Sequence, residues 1–286
     1  MERIATKNLF FNLFRAVGAV LALGASPAVA WELPVALSDY NLSSYTDQKV
    51  AIDGKGRTVV AWRAFSGMDE TFQQFLQVAI RPAGGVFGPA TTISNTSADV
   101  YGYDLAASKK GTVTAVWDRG TDYDDRWLEV ADLGKKDIAF GTATVFSPVN
   151  SAPNFPQIGL DKKGNATVVW IQHNTGIISA ATRKVGDPFG PADVLSDSGN
   201  YNPVIAVGPK GNAVVAWSSD PDPNTVEAAI RPAGSDDFAS ATTISNPADD
   251  TDLIQIWMDA KGNSSIAARN YKMTDISADG VATEWF

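Results

Sequence analysis

The sequence predicts an all-β fold built from five copies of one unit, and two observations support this prediction. A Gly-containing turn is followed six residues later by Trp at Gly56 and Trp62, Gly111 and Trp117, Gly164 and Trp170, and Gly211 and Trp217, and a fifth copy has Gly262 with Ala268 in place of Trp. Each turn lies between two short runs in which apolar and polar residues alternate, which is typical of a β-hairpin. The glycines are 47 to 55 residues apart, so each unit is longer than one hairpin.

A second hairpin completes each unit. Its last strand is predicted to begin at an aromatic residue and to end at a Ser seven positions later, at Phe87 and Ser94, Phe140 and Ser147, Phe189 and Ser196, and Phe238 and Ser245. Four short strands in roughly 50 residues are the unit of a β-propeller blade. We therefore predict a five-bladed β-propeller with blades at 50–94, 104–147, 157–196, 204–245, and 254–286 together with 31–38.

The last blade is predicted to obtain its fourth strand from the other end of the chain. The fifth repeat reaches Phe286 where that strand should begin, and Trp31 is again followed by a Ser, Ser38, after seven residues. Pairing of the N-terminal strand with the last blade would close the ring and cover the edge that a linear array leaves open. The alternative is an open array with a frayed last repeat.

Residues 1–30 have the pattern of a signal peptide. Basic residues precede a ten-residue apolar run, 16–25, and Ala28 and Ala30 form a small-x-small cleavage site. The alternative, a transmembrane anchor, needs about 20 apolar residues. We therefore expect 1–30 to be removed, 31–286 to form the propeller, and the protein to be secreted or periplasmic, monomeric and without a membrane span.

Composition excludes several classes of function. The chain has no Cys and one His, so disulfide frameworks, thiolate metal sites, a Cys nucleophile and mechanisms that need two histidines are excluded. Without residues 1–30, the chain has 20 basic and 31 acidic residues, a net charge of −11. General nucleic-acid binding needs a basic face, so we expect no nucleic-acid partner.

The repeated residues have structural roles in this prediction. Trp fills the wedge between neighbouring blades, while Asp53, Asp161 and Asp259 accept hydrogen bonds from turn amides. The hairpin loops share one face of a propeller and hold 14 of the 20 basic residues. The loops that connect hairpins and blades share the other face and hold most of the acids. We call these the hairpin face and the connecting-loop face, and expect the second to attract cations or a basic partner.

The best candidate for a ligand pocket is a polar row on the innermost strands. The position seven residues before each turn Gly holds Lys49, Asp104, Gln157, Val204 and Gln255, which would ring the mouth of the channel. Connecting-loop aromatics, among them Tyr103, Phe155 and Tyr201, are predicted nearby, and His173 lies in the third connecting loop. Tyr beside Asp and Asn suits a sugar, because the ring stacks on its apolar face while polar groups bond its hydroxyls.

Two other chemistries remain open. Asp122, Asp124 and Asp125 lie in one connecting loop, and clustered carboxylates suit Ca²⁺, although the spacing is not that of an EF-hand. No other cofactor is predicted. Asp104 and Asp47 are the carboxylates that a glycan-cleaving enzyme would use, but the sequence has no nucleophile elbow, P-loop or GxGxxG motif.

The pattern D-x-K-G-N-A-x-x-x-W, from Asp161 to Trp170, is followed by F-G-P-A and L-S. It resembles the repeats of uncharacterised secreted bacterial β-propeller proteins. The resemblance covers 31–286 and implies the fold, but no activity, because propellers host many functions. We expect a secreted, non-catalytic module that binds a glycan or a protein on its acidic connecting-loop face; the alternative is a glycan-cleaving enzyme.

Overall fold

A computed structural model describes residues 35–38, 43–44, 47–67, 72–122, 124–147, 152–220, 224–246, 251, 253–268, 273–276 and 282–285. The predicted signal peptide, 1–30, lies outside this set. The chain divides into two compact units, Met1–Ala36 and Leu37–Phe286, and every described strand belongs to the second. Among the described residues, no helix has the length and apolar character needed to cross a membrane.

The described strands form five antiparallel sheets, which we number in chain order. Sheet one contains β1 (Ser43–Ser44), β2 (Lys49–Ile52), β3 (Thr58–Ser66), β4 (Gln73–Arg81) and β5 (Thr91–Thr92). Sheet two contains β6 (Asp99–Ala107), β7 (Val113–Gly120), β8 (Arg126–Leu133) and β9 (Thr144–Val145), and sheet three contains β10 (Pro153–Leu160), β11 (Ala166–Gln172), β12 (Ile177–Arg183) and β13 (Asp193–Val194). Sheet four contains β14 (Asn200–Val207), β15 (Ala213–Ser219), β16 (Thr225–Arg231) and β17 (Thr242–Thr243), and sheet five contains β18 (Leu253–Met258), β19 (Ser264–Ala268), β20 (Met273–Ile276) and β21 (Ala282–Trp285).

Successive sheets meet through their first strands. In sheets two to five the spatial order of the strands is their order in the chain, whereas in sheet one both β1 and β2 pair with β3. Contacts run from β2 to β6, β10, β14 and β18 in turn, and we call these five the inner strands. The all-β prediction is confirmed. Closure of a five-bladed ring, with the fifth sheet against the first, stays a prediction.

Two predicted boundaries are corrected. The last strands of sheets one to four have only two residues each, not the eight from the aromatic residue to Ser. In sheets one, three and four the aromatic residue instead packs beneath an Arg guanidinium of the preceding strand; the Arg183 guanidinium lies 4.7 Å from the ring centroid of Phe189. In sheet five the fourth strand is β21, not 31–38; residues 35–38 contain no strand, and 31–34 lie outside the described residues.

The core is formed between neighbouring sheets. Each Trp of the repeat is buried, and the residue before the outer-strand Ser belongs to the apolar cluster that holds the next sheet's Trp position. The pairs are Leu37 with Trp62, Ile93 with Trp117, Phe146 with Trp170, Leu195 with Trp217, and Ile244 with Ala268. Leu37 thus lies against sheet one in the way that residues of sheets one to four lie against their successors.

The repeated polar residues have the predicted structural roles. The Oδ1 atom of Asp161 accepts hydrogen bonds from the amides of Lys163, Gly164 and Asn165 at 2.7–3.0 Å. The turn glycines all have positive φ, +98° at Gly164, a conformation that suits glycine. The Ser after each two-residue outer strand accepts a hydrogen bond from an amide of the strand that pairs with it. Ser94 accepts the amide of Leu76 in β4 at 2.9 Å and so anchors the short outer strand β5.

Candidate functional site

The polar row lies at equivalent positions of the inner strands. Lys49, Asp104, Gln157 and Gln255 pair with Ala61, Val116, Val169 and Ala267, each of which directly precedes the Trp position of its sheet. In sheets two to five the strand register shifts just before this row, which marks a β-bulge in each inner strand. Bulges re-aim side chains and are common next to functional sites. In sheets three to five the row position is the first to pair after the bulge, in sheet two it lies two residues further on, and in sheet one Lys49 begins a regularly paired strand.

Two members of the row join three sheets. The Lys49 Nζ atom lies 3.6 Å from a carboxylate oxygen of Asp104, whose other oxygen accepts a hydrogen bond from the amide of Ile158 at 2.9 Å. Burial raises the pKa of the Asp104 carboxyl, while Lys49 and the amide bond oppose the rise. Gln157, next to Ile158, is half-buried, and Gln255 is exposed on sheet five.

The second carboxylate of the predicted cleaving pair is also engaged. Asp47 accepts a hydrogen bond from the Arg63 Nε atom at 2.8 Å. The Tyr103 hydroxyl donates to the carbonyl oxygens of Asp47 and Ala61, at 2.5 and 2.9 Å. Burial is the largest cause of a rise in the pKa of Tyr103, and the Asp47 charge adds to it. Tyr103 is therefore buried, and its hydroxyl links sheet two to the segment that contains Asp47 and to sheet one.

The remaining predicted ligand residues, Tyr201 and His173, take no part in the contacts of Tyr103 and Asp47. Tyr201 pairs with Ser218 directly before the bulge of β14 and packs against the apolar cluster between sheets three and four. His173 is exposed just after β11, and its amide donates to the carbonyl of Ala152 at 2.8 Å. The structure thus places Tyr201, half-buried, at the edge of a core cluster and His173 on a loop.

Phe155, predicted from the sequence only as one of the connecting-loop aromatics, has an unusual geometry beside the polar row. It lies in the bulge of β10, two residues before Gln157, with φ of +50° and with 58% of its surface exposed. Positive φ in a bulky residue is a conformational outlier. The same bulge in sheet four holds Asn202, also at positive φ, and Asn tolerates this conformation. Both residues precede Pro, which was the available signal.

A buried charged cluster holds the backbone beside Phe155. Arg126 donates to Asp118 at 3.1 Å and to Asn154 at 3.0 Å, and its guanidinium lies 3.7 Å from the ring centroid of Tyr101. The Asn154 oxygen also accepts the Phe155 amide at 3.0 Å. Burial raises the pKa of Asp118 to about 7, against the opposing effect of Arg126.

Gly102 allows this cluster to form. A Cβ atom at this position would lie 2.6 Å from an Asp118 oxygen and 3.4 Å from the Pro156 Cδ atom. Any other residue would therefore push apart the cluster and the segment that carries Phe155.

A second buried cluster lies in the same sheet. Glu129 accepts hydrogen bonds from the indole nitrogens of Trp117 and Trp127, at 2.9 and 3.1 Å, and from Arg119 at 3.2 Å. In sheet four, Glu227 accepts only the indole of Trp217 among the hydrogen bonds found within the described residues, at 3.0 Å. The carboxylate opposite Trp thus satisfies the buried indole in both sheets.

The predicted metal ligands are engaged in local turn contacts. One oxygen of Asp122 accepts the amides of Asp124 and Asp125 at 2.9 and 2.7 Å, and Asp125 accepts the Thr121 hydroxyl at 2.9 Å. Tyr123 lies outside the described residues. Within those residues, no group of three or more His, Asp or Glu side chains is arranged to hold a metal ion. Binding of Ca²⁺ by this loop stays a prediction.

Comparisons with known proteins bear on the fold. No protein-family model matches the chain, and no curated protein matches it in sequence. Its structure is similar to that of the BP39L lectin from Burkholderia pseudomallei, with a TM-score of 0.63 and 12% identity over 90% of this chain and 74% of the lectin. A protein of unknown function from Dyadobacter fermentans gives a TM-score of 0.57 and 12% identity, over 86% of this chain and 83% of that one.

A sialidase shares the same architecture. NanB from Streptococcus pneumoniae matches with a TM-score of 0.55 and 6% identity, over 87% of this chain and 60% of the sialidase. The chain therefore spans less than two thirds of that protein. At such low identities these likenesses show the fold alone: the chain is all-β and propeller-like.

Proposed function

We propose that this protein is a non-catalytic glycan-binding module. The proposed site lies at the bulges of the inner strands, where Phe155 and Gln157 accompany the Lys49–Asp104 pair. The observation that carries the proposal is the exposed ring of Phe155 on a strained backbone. Such strain costs about 1–3 kcal/mol and concentrates at ligand-binding positions. The same fold in a lectin is consistent with this function.

The residue types at this site suit a sugar. An exposed aromatic ring offers a face on which the apolar side of a pyranose can stack, and amide, ammonium and carboxylate groups bond its hydroxyls. Gln157 supplies both a donor and an acceptor, and Lys49 is only partly covered by its ion pair with Asp104. The proposal retains the predicted connecting-loop face, with Phe155 added to the polar row.

The alternative, a glycan-cleaving enzyme, has weaker support. Cleavage needs one carboxylic acid to protonate the leaving group and a second carboxylate as nucleophile or base. The raised pKa of Asp104 would suit the acid. However, Asp104 is held by Lys49 and an amide, and Asp47 is held by Arg63. Neither carboxylate is presented without a partner, so the geometry favours binding. Loss of any glycan-cleaving activity in Asp104→Asn would favour the alternative.

A glycan array tests the proposal. The purified protein should bind at least one glycan, and Phe155→Asn should lose at least tenfold in affinity by calorimetry. Because Asn suits positive φ, this variant should keep or raise the midpoint of thermal unfolding. Val194→Asn, which alters an exposed apolar residue of β13, should keep full affinity. The array is repeated with Ca²⁺ and with a chelator, which tests the loop of Asp122, Asp124 and Asp125.

Two results would contradict the proposal. One is an array without binding in either condition. The other is Phe155→Asn with unchanged affinity, which would place the ligand elsewhere.

Secretion is part of the same proposal, because a glycan binder of this kind would act outside the cytoplasm. Secretion rests on the sequence pattern of 1–30 and predicts a mature chain that begins at Trp31.

A further inference from the structure

An apolar groove lies on the hairpin face, between sheets one and two. Its volume is about 530 Å³, within the usual range for small-molecule sites. Its walls come from the last hairpin loop of each sheet, with Pro82, Val86 and Phe87 from sheet one and Ile138 from sheet two. Val86 is 80% exposed and Ile138 is 92% exposed. Two large aliphatic side chains are thus presented to solvent at one groove.

The rim of this groove is cationic. Lys55, Lys135 and Lys136 line it, and within the described part of the chain none of the three pairs with a carboxylate within 4.0 Å. The two carboxylates at the groove are already engaged. Asp53 accepts the Arg57 Nε atom at 3.1 Å, and Asp137 accepts the amide of its own turn at 3.1 Å. Lys55, Lys135, Lys136 and Arg57 outnumber Asp53 and Asp137 at the groove, so its lining keeps a net positive charge.

The floor of the groove is rigid. The Arg57 guanidinium is mostly buried and reaches from sheet one into sheet two. It donates to the carbonyl oxygens of Gly134, Asp137 and Gly111, at 3.0, 2.9 and 2.7 Å. These bonds tie the first hairpin turn of sheet one to both hairpin loops of sheet two, including the loop that carries Ile138, so a ligand would not have to order that loop.

The repeat provides an internal comparison. Between sheets three and four the corresponding groove, about 510 Å³, is lined by Asp187, Ser235 and Asp236. These polar and acidic residues occupy the last hairpin loops, where Val86 and Ile138 lie in sheets one and two. Repetition of the fold alone therefore does not produce an apolar groove. Of the two grooves compared, only the groove between sheets one and two has exposed aliphatic residues in place of acidic ones on its last hairpin loops.

We infer that the groove between sheets one and two binds an amphiphilic anion, namely an unbranched aliphatic chain that ends in a carboxylate. The chain would lie against Val86 and Ile138, and the carboxylate would meet the lysines at the rim. The charge of the rim selects an anion, and the apolar walls select a ligand with a hydrocarbon body. This site is separate from the proposed glycan site and does not depend on it.

Calorimetry with decanoate, below its micelle concentration, tests the inference. The full chain should bind decanoate saturably and bind 1-decanol more weakly. Ile138→Asp should reduce decanoate affinity at least tenfold. The double variant Lys135→Gln and Lys136→Gln should reduce the affinity for decanoate and leave that for 1-decanol unchanged. Val185→Asp is the matched control, because Val185 is 49% exposed on the last hairpin loop of sheet three and does not line this groove.

Three outcomes would overturn the inference. The first is the absence of saturable decanoate binding, and the second is equal affinity in the wild type and Ile138→Asp. The third comes from vesicles that contain phosphatidylglycerol: if they bind the protein through Ile138 while monomeric decanoate does not, the surface docks on a membrane. Because Ile138 is almost fully exposed, its replacement leaves the core intact, and thermal unfolding verifies this.

Discussion

Replacement of Asp118 by Asn should change how the stability of this protein depends on pH. Asp118 is fully buried beside Arg126, and burial raises its pKa from 3.8 to about 7. In the unfolded chain the carboxyl loses its proton near pH 4. Between these values the native state holds a proton that the unfolded state has released. The contribution of Asp118 to stability is therefore complete below pH 4 and is lost as the pH rises through 7.

The size of the effect follows from the two pKa values. One pKa unit corresponds to about 1.4 kcal/mol. From about pH 5 to pH 8 the wild type should lose roughly 2.5 kcal/mol of unfolding free energy through this one group. Asp118→Asn cannot titrate, so it should lack this loss. The unfolding free energy of the variant minus that of the wild type should therefore be roughly 2.5 kcal/mol larger at pH 8 than at pH 5.

Urea unfolding, followed by Trp fluorescence at both pH values, measures this difference. The other titrating groups are present in both proteins, so their contributions cancel. Asp197→Asn, which removes an exposed carboxylate outside the cluster, controls for the loss of one negative charge. A difference near zero, or one of opposite sign, would mean that Arg126 keeps the buried carboxyl ionised and that the reasoning from burial is wrong.

Four further variants test the repeat. Glu129→Gln should cost about 3–5 kcal/mol of unfolding free energy, because it leaves a buried guanidinium without its carboxylate. Glu227→Gln should cost about 1 kcal/mol, because within the described residues no guanidinium bonds to Glu227. Equal losses in the two variants would contradict this account. Ser94→Ala should cost about 1–3 kcal/mol and speed hydrogen exchange of the β4 amide that it now bonds; unchanged exchange would argue against the anchoring role. Gly159→Ala should cost about 1–3 kcal/mol, because its Cβ would lie 2.3 Å from a methyl of Val207; thermal unfolding checks this, and a neutral result would mean that the inner strands can separate.

The sequence was sufficient for the parts of the fold that depend on one residue type. The turn glycines, the capping Asp residues and the buried Trp residues each have a chemical requirement that spacing alone reveals. Outer-strand length was overestimated because alternation continues through residues that leave the ladder. In sheets one, three and four the aromatic start of the predicted strand packs beneath an Arg instead, as Phe189 does, and nothing in the alternation distinguishes this contact from strand pairing.

The candidate site was predicted less completely. The polar row was found because it repeats at a fixed distance from the turn, and its register is as expected. Phe155 was grouped with other loop aromatics, because no propensity suggests positive φ for Phe. Only its alignment with Asn202, which also precedes Pro, could have indicated the bulge. The mutual engagement of Lys49 and Asp104 depends on two sheets and is not visible in either repeat alone.

The contact between each outer strand and the following sheet gives the molecule a direction. Leu37 covers Trp62, and residues of sheets one to four cover the Trp positions of sheets two to five in the same sense. The stability of a sheet therefore includes a term from the sheet before it, as in arrays with nearest-neighbour coupling. Because each such contact runs forward along the chain, the release of one outer strand should weaken the sheet that follows more than the sheet that precedes. Local opening would then spread from the N-terminal side towards the C-terminal side.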